Sequence, residues 1–353
     1  MNKEDIILKS RPASRERVLR ALDYSCPDRL PVIYHPSPAG LHVHGQKLLN
    51  LFNLHPPDNP ITFETLSAPV TGTIDVHGNY HERKTDEWGT EWEYLIFGIA
   101  GHPSGYPVAD WAMADDYRFP PIPAGTGLDF DQACAAVQRQ KEHFFVAAGG
   151  ISIFEKLHAL HPMDGVLMAL ASEEPGLLRF MARLERYWCD FIDYHLSTGA
   201  DAIWFGDDWG TQTAPLISPA MFREIFRPVY ARLFARVKQG GGRVFFHSCG
   251  ALGPIFDDLL DLGIDLIWPQ IKWFESDPNR IAACRERGVT FYVHPDRQRL
   301  IPLGTPDEIR AEIRRYADLG RKSGGGVVFY VEIENDAPFE NVRALVESID
   351  EFR

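Results

Sequence analysis

The stretch Val244-Phe245-Phe246-His247-Ser248-Cys249-Gly250 is a short apolar run that ends in polar residues. Short runs of this kind alternate along the chain with longer amphipathic segments, which is typical of β-α units repeated around a parallel sheet. Seven strands are predicted on this basis, at residues 30–34, 144–148, 202–205, 244–246, 265–268, 289–293 and 327–331. An eighth strand is expected between residues 60 and 74. The predicted fold is therefore α/β, a closed (β/α)8 TIM barrel.

The segments between the strands carry signals for helix starts. Ser172, Ser218 followed by Pro219, and Thr305 are predicted to begin helices at residues 174–197, 219–239 and 306–322. No repeat or long linker interrupts the chain. We therefore expect a single barrel domain over residues 1–353, in which residues 1–130 include an N-terminal elaboration of helices and loops.

Composition excludes several classes of protein. The 353 residues include 36 Lys+Arg and 49 Asp+Glu, a formal net charge of −13, without the basic run that nucleic-acid binding requires. No stretch approaches the ~18 apolar residues that span a bilayer. The first twenty residues mix both charge signs, unlike a signal peptide. We expect a cytoplasmic protein that binds neither nucleic acid nor membrane.

The five cysteines are an odd number, are widely scattered and form no CxxC pair. A disulfide framework is therefore not expected in a chain of this length. A cysteine with a function is predicted to be a metal ligand or a nucleophile.

The barrel prediction also indicates where the chemistry lies, because catalytic groups of such barrels collect beyond the C-terminal ends of the strands. Five successive predicted strands end in polar residues and are expected to face one pocket. These ends are residues 206–210, 247–250, 269–270, 294–296 and 332–336.

His247 and Cys249 stand two positions apart, so an extended backbone places both side chains on one side. A thiolate and an imidazole together suit Zn²⁺, which usually takes three protein ligands in catalytic sites. Glu332 is the first choice for the third ligand, and His294 and the pair Asp207-Asp208 are the alternatives. A purely structural role for His247 and Cys249 is the competing interpretation.

Other strand-end residues are candidates for catalysis or substrate binding. One of Asp207 and Asp208 is expected to orient His247 or a substrate hydroxyl while the other caps a helix or turn. Gln212 is a candidate donor to a substrate oxygen, with a backbone contact as the alternative. The candidate substrate-binding residues are Trp268, Gln270, His294, Asp296 and His35.

Six segments of the chain are informative when taken together. They are Pro27-Asp28-Arg29-Leu30-Pro31-Val32, Asp86-Glu87-Trp88-Gly89-Thr90, Phe205-Gly206-Asp207-Asp208-Trp209-Gly210, Leu216-Ile217-Ser218-Pro219, His247-Ser248-Cys249-Gly250 and Ala337-Pro338-Phe339-Glu340-Asn341. Together they resemble the uroporphyrinogen decarboxylase superfamily over nearly the whole chain. The family is a TIM barrel, so the resemblance implies the same fold.

The resemblance implies different chemistry for the two branches of this superfamily. True porphyrinogen decarboxylases carry an arginine-rich stretch after the first strand, whereas this chain has His35-Pro36-Ser37-Pro38-Ala39-Gly40 there. The methyltransferase branch shares the His-x-Cys-Gly turn, in which His247 and Cys249 would bind zinc. Its third ligand is commonly a cysteine of the last strand, so Glu332 would have to replace it. In the loop after the sixth predicted strand, members of the family have the sequence Gly-Gly-Ile-Asp. The resemblance therefore implies that Asp296 is a loop or pocket residue.

The sequence therefore predicts a zinc-dependent enzyme similar to methyltransferases, moving a methyl group between a corrinoid protein and a small-molecule thiol or methoxylated compound. The corrinoid would belong to a separate partner, since no Asp-x-His-x-x-Gly motif is present. A decarboxylase of a tetrapyrrole or other carboxylated substrate is the first alternative. A corrinoid- or tetrapyrrole-binding module without turnover is the second.

Overall fold

The computed structural model describes residues 14–35, 37–61 and 66–353. Its strands are β1 (Val32–His35), β2 (Glu82–Thr85), β3 (Glu91–Tyr94), β4 (His102–Gly105), β5 (Ala147–Ile151), β6 (Ala202–Gly206), β7 (Arg243–Ser248), β8 (Leu266–Pro269), β9 (Thr290–Val293) and β10 (Val327–Glu332).

The helices run between and around these strands. They are α1 (Ser14–Leu22), α2 (Pro38–His44), α3 (Gln46–Leu54), a 3₁₀ helix (Trp111–Asp116), α4 (Leu128–Lys141), α5 (Phe154–Leu160), α6 (Met163–Ala171), α7 (Pro175–Ser197), α8 (Pro219–Met221), a π-helical turn (Phe222–Phe226), α9 (Arg227–Gln239), α10 (Ile255–Asp261), α11 (Ile271–Glu275), α12 (Pro278–Glu286), α13 (Leu300–Leu303), α14 (Pro306–Ser323) and α15 (Phe339–Phe352).

Seven strands form one parallel sheet in the order β1-β10-β9-β8-β7-β6-β5. Strands that follow one another in the chain are therefore neighbours in the sheet, and β1 lies beside the last strand, β10. Helices connect successive strands, as parallel pairing requires. All seven strands predicted from the sequence are confirmed, with boundaries displaced by up to three residues.

The predicted α/β fold is confirmed and the curled parallel sheet is consistent with a TIM-barrel-like fold, but the predicted closure with an eighth strand is not present in the part of the chain that the structure describes. The seven-stranded sheet curls, but no ladder joins β1 to β5 there. Within the expected eighth strand, residues 62–65 lie outside the described residues. Ile74 pairs antiparallel with Tyr80 instead, because the chain reverses at residues 76–78, and it then leads into the separate sheet β2-β3-β4. That sheet belongs to the expected N-terminal elaboration, of which residues 1–13 also lie outside the described residues.

Alternate residues of each strand face opposite sides of the parallel sheet. On the outer side, residues such as Phe205 and Phe246 pack against the helices in the larger core. On the inner side of the curl, a second core joins the sheet to α1. Its buried members are Val18, Ala21, Leu22, Phe145, Ala202, Phe245, Leu266, Tyr292, Val328 and Tyr330. This alternation decides which strand-end residues face the mouth of the sheet.

Two of the three predicted helix starts are confirmed. The Ser218 hydroxyl accepts a hydrogen bond from the Met221 N–H, and Thr305 forms a capping box with Glu308. Ser172 instead ends α6, where its hydroxyl donates to the Met168 carbonyl. The carboxylate of Glu174 caps α7 in its place.

A buried ion-pair network holds α1, β1 and the last residue of the chain together. Asp58 lies between Arg17 and Arg353, and all three side chains are buried. The Asp58 carboxylate also accepts hydrogen bonds from the Ser14 hydroxyl at 2.8 Å and the Val32 N–H at 3.0 Å. The network therefore anchors the N-terminal end of β1, the strand that carries His35 at its other end.

All five cysteines have free thiols, as the sequence predicts. None of the described helices combines the length and the apolar character needed to cross a membrane.

Candidate functional site

The alternation of the strands brings chemically active side chains to one place. Phe245 faces the inside of the curl, so His247 and Cys249, two and four positions later, continue on that side. Trp204 also faces the inside of the curl, so Asp208, four positions later, lies on the same side. Tyr292 faces the inside too, and His294 follows two positions later. The C-terminal ends of β6, β7 and β9 therefore present polar side chains to a common mouth.

Three of these side chains form a compact group of metal-ligand type. One ligand atom each of Asp208, His247 and Cys249 lies within 4.8 Å of the others. Cys249 Sγ is 3.4 Å from His247 Nε2, and Asp208 Oδ1 is 3.5 Å from the same nitrogen. Asp208 is held by the Cys249 N–H, which donates to its Oδ1 at 2.6 Å. We call these three residues the donor group.

The donor group depends on close contact between the loops that follow β6 and β7. Gly250 has a φ of +81°, and a Cβ there would lie 2.1 Å from the carbonyl oxygen of Gly210. A Cβ at Gly210 would lie 2.4 Å from the backbone nitrogen of Ala251. Only glycine fits both positions. This approach of the two backbones brings Asp208, on one loop, beside Cys249 on the other.

The hydrogen bonds of His247 set its tautomer. Its Nδ1 donates to the Trp268 carbonyl at 2.9 Å, and the Trp268 ring lies 4.1 Å from the imidazole. Burial lowers the pKa of His247, although the charge of Asp208 opposes this shift. The imidazole is therefore neutral at pH 7, with the Nε2 lone pair turned toward the thiol and the carboxylate.

The Cys249 thiol is protonated in this environment. Burial raises its pKa to about 12, and the neighbouring charge of Asp208 adds to the effect. A bound divalent cation reverses this balance, because it stabilises the thiolate directly.

The spacing of the donor group fits a tetrahedral zinc ion. With Zn–S near 2.3 Å and Zn–N or Zn–O near 2.1 Å, tetrahedral angles separate sulfur from nitrogen by about 3.5 Å and nitrogen from oxygen by about 3.4 Å. The observed separations are 3.4 and 3.5 Å. Nitrogen, sulfur and carboxylate oxygen are all ligands that zinc accepts. The three residues therefore suit zinc in identity, and the two separations that involve His247 Nε2 suit it in distance.

A cavity of about 240 Å³ lies directly beside this group. His247 and Cys249 line it, and so do four of the substrate-binding candidates. Those four residues are Trp268, Gln270, His294 and Asp296. The size of the cavity corresponds to a small ligand, because drug-sized ligands occupy about 300–1,000 Å³.

Glu332 lies at the end of β10 and outside the donor group. Its carboxylate is 3.8 Å from His35 Nε2 and 3.7 Å from Arg297 Nη1. His35 is exposed at the end of β1 and pairs in register with Glu332 across the sheet. The structure thus places Asp208, one of the alternatives, beside His247 and Cys249.

Asp207 and Gln212 both lie away from the cavity lining. Asp207 is fully buried on the helix side of the sheet, where it accepts hydrogen bonds from the backbone N–H groups of Ile153 and Glu155 at 2.7 and 2.6 Å and from the Tyr230 hydroxyl. Burial raises its pKa to about 6. Gln212 is exposed in the turn between Gly210 and Pro215. Asp296 accepts from the N–H groups of Gln298 and Arg299, which shapes its own loop.

Sequence reasoning missed two ionisable residues near the donor group. Arg297 lines the cavity beside His294 and forms ion pairs with Glu332 and Glu334. Glu155 follows β5, and burial together with the charges of Asp207 and Asp208 raises its pKa to about 9. The position of Arg297, directly after the polar strand end 294–296, was the available signal. No such signal marked Glu155, because β5 ends three residues later than predicted.

Comparison with known proteins places the chain in a family. The sequence profile described as Uroporphyrinogen decarboxylase (URO-D) matches residues 158–352, more than half of the chain. The chain belongs to the uroporphyrinogen decarboxylase family. The matched region of this family member includes all three residues of the donor group and the cavity beside them. No curated protein matches the sequence significantly.

Three solved structures were superposed on this uroporphyrinogen decarboxylase family member, and one of them has the same fold over nearly the whole chain. A methyltransferase from Methanosarcina mazei superposes with a TM-score of 0.62 at 17% identity, covering 96% of this chain and 98% of the other. A dihydropteroate synthase from Anaplasma phagocytophilum gives 0.34 at 17% identity, covering 48% and 66%. An endo-β-1,4-xylanase from Gloeophyllum trabeum gives 0.37 at 9% identity, covering 64% and 80%. At these identities the Methanosarcina structure supports the fold alone.

Proposed function

We propose that this protein is a zinc-dependent enzyme that moves a methyl group between a corrinoid protein and a small-molecule donor or acceptor. The observation that carries the proposal is the donor group of Asp208, His247 and Cys249, which opens into a small cavity at the mouth of the parallel sheet. The choice of methyl transfer as the reaction follows the name of the methyltransferase from Methanosarcina mazei, with which the chain shares its fold.

His247 and Cys249 would hold the metal, and Asp208 would supply the third ligand. Glu332 remains the alternative third ligand, but it is engaged with His35 and Arg297. When bound, zinc supplies Lewis acidity, which lowers the pKa of an acceptor thiol or polarises the oxygen of a methyl ether. A carboxylate ligand leaves the metal less electron-rich than a second thiolate does. This favours the methyl ether as substrate.

The protein's own residues would orient the reactants. The Trp268 carbonyl holds the His247 ring through Nδ1, and the Cys249 N–H holds Asp208, so both ligands are fixed before a metal arrives. The Trp268 ring forms an apolar wall between His247 and the ring of Tyr330, whose centroid is 4.2 Å away. Trp268 thus gives the cavity an apolar side against which a methyl group would pack.

Decarboxylation of a carboxylated substrate is the second candidate, because the matching family profile carries that activity in its description. A tetrapyrrole with many carboxylates is a poor fit to a cavity of about 240 Å³. The decarboxylase branch uses no metal, so metal dependence separates the two candidates.

The test is metal content and metal-dependent methyl transfer of the purified full chain. We expect about one zinc per chain after metal-replete purification, and loss of this zinc in Cys249→Ala, since one of three ligands is removed. Cys134→Ala, which removes a thiol from α4, is the matched control and should retain the metal. Stoichiometric zinc in Cys249→Ala would remove the proposed site. Decarboxylation without metal would transfer the assignment to the second candidate.

A further inference from the structure

His294 has an unused acceptor atom at the wall of the cavity. The side chain is only 6% exposed, and its Nε2 has no hydrogen-bond partner among the described residues. Burial lowers the pKa of His294, so the ring is neutral, and in one of its two tautomers Nε2 carries a lone pair. A buried acceptor without a partner is costly unless a ligand satisfies it.

Arg297 offers a free edge to the same cavity. Its contacts with Glu334 at 3.2 Å and Glu332 at 3.7 Å both use Nη1. Within the described part of the chain, no hydrogen bond or ion pair uses its Nε or Nη2. The edge formed by these two nitrogens matches the two oxygens of a carboxylate.

Three carboxylates surround Arg297, so an anion at its free edge must compete with Glu332 and Glu334 for the charge of the guanidinium. Asp296 is the nearest carboxylate in sequence, but its Oδ1 is occupied by two N–H groups of its own loop. Glu332 and Glu334 are both paired with Arg297. Lys272, which also lines the cavity, adds a second positive charge, although Glu275 shares it.

We propose that Arg297 and His294 select a small substrate that carries one carboxylate and one hydrogen-bond donor such as a hydroxyl. The free edge of Arg297 binds the carboxylate, and Nε2 of His294 accepts the hydrogen bond. That this substrate carries a methyl ether rests on the proposed function. The binding of its carboxylate and its hydroxyl does not.

The experiment is calorimetric titration of the zinc-loaded full chain with matched probes. These are 3-hydroxy-2-methoxypropanoate, its amide, 2-methoxypropanoate, and glycerate with its own amide, neither of which has a methyl ether. We expect the hydroxy acid to bind about 10- to 100-fold more tightly than the amide, because the carboxylate gains charged hydrogen bonds. Arg297→Gln should abolish this preference. His294→Phe should weaken binding of the hydroxy acid about tenfold and leave 2-methoxypropanoate unchanged.

Two controls separate binding from secondary effects. Arg299→Gln changes an exposed arginine of the same loop, paired with Glu308, and should bind every probe as the wild type does. Arg297→Gln also leaves Glu332 and Glu334 without their cation, and their charge would then repel an acidic probe. The double variant Arg297→Gln with Glu334→Gln tests for this repulsion. Recovery of the preference for the acid in the double variant would overturn the inference, since repulsion would then explain the loss. No binding of any carboxylate probe by the wild type would also overturn it.

Glycerate distinguishes failure of this inference from failure of the proposed function. A preference for glycerate over its amide that depends on Arg297, without methyl transfer from any ether, would support the substrate class and remove the methyltransferase assignment. Methyl transfer by a protein that binds the acid and the amide with equal affinity would support the methyltransferase assignment and remove the substrate class.

Discussion

Replacing Asp58 with asparagine is expected to lower the free energy of unfolding by about 2–4 kcal/mol. Asp58 is 1% exposed and accepts hydrogen bonds from Arg17, Arg353, Ser14 and the Val32 N–H. An asparagine keeps one acceptor oxygen, so its amide nitrogen faces donors and both arginines lose a charged partner.

The magnitude follows from what each arginine retains. Arg17 keeps Asp28 through Nε at 2.8 Å and Nη2 at 2.7 Å, and Arg353 keeps Asp350 at 3.2 Å. Neither guanidinium is left wholly unpaired, so the loss should lie at or below the lower part of the range of about 3–5 kcal/mol that is typical of an isolated buried charge. Two hydrogen bonds to a charged acceptor, at about 1.5–3 kcal/mol each, set the scale before partial recovery through the amide oxygen.

Urea unfolding followed by tryptophan fluorescence measures the change, with Asp28→Asn as the matched control. Asp28 binds the same arginine, but its side chain is 58% exposed, so its replacement should cost at most about 1 kcal/mol. The explanation fails if Asp28→Asn destabilises the protein as much as Asp58→Asn, or if the Asp58 variant loses less than about 1 kcal/mol.

Three further predictions concern the donor group. Asp208→Asn should weaken zinc binding on the order of 100-fold while Glu332→Gln changes it little; competition with a chelator measures both, and the opposite order would make Glu332 the ligand. Because burial raises the pKa of Cys249 to about 12 and lowers that of His247, zinc must displace one proton from the thiol between pH 7 and 9, so its apparent affinity should rise about tenfold per pH unit. A flat profile by calorimetry would contradict this. Gly250→Ala should reduce both thermal stability and zinc content, whereas Gly263→Ala, at a φ of +82° with open space around it, should cost stability alone.

Apolar runs predicted every strand of the parallel sheet, but their ends depend on neighbours. The strand predicted at 244–246 extends to Arg243–Ser248 because His247 and Ser248 pair with Trp268 and Pro269. The strand predicted at 144–148 moves to Ala147–Ile151, where the register shifts between Gly149 and Ile151. An apolar run does not reveal such pairing.

For the same reason, only part of the candidate site could be predicted from the sequence. The spacing of His247 and Cys249 follows from the period of one strand, so the sequence predicts that pair. Asp208 reaches them across two loops, and Arg297 meets His294 through the turn that Asp296 shapes. Contacts between separate loops depend on backbone approach, which no local pattern in the sequence reports.

The meeting of Gly210 and Gly250 also affects how relatives of this protein should be compared. A relative that conserves Asp208, His247 and Cys249 but has alanine at either glycine would keep every ligand in an alignment, yet its two loops would stand apart by the width of a methyl group. The glycines, which coordinate nothing, are therefore the better guide to which family members can assemble this donor group.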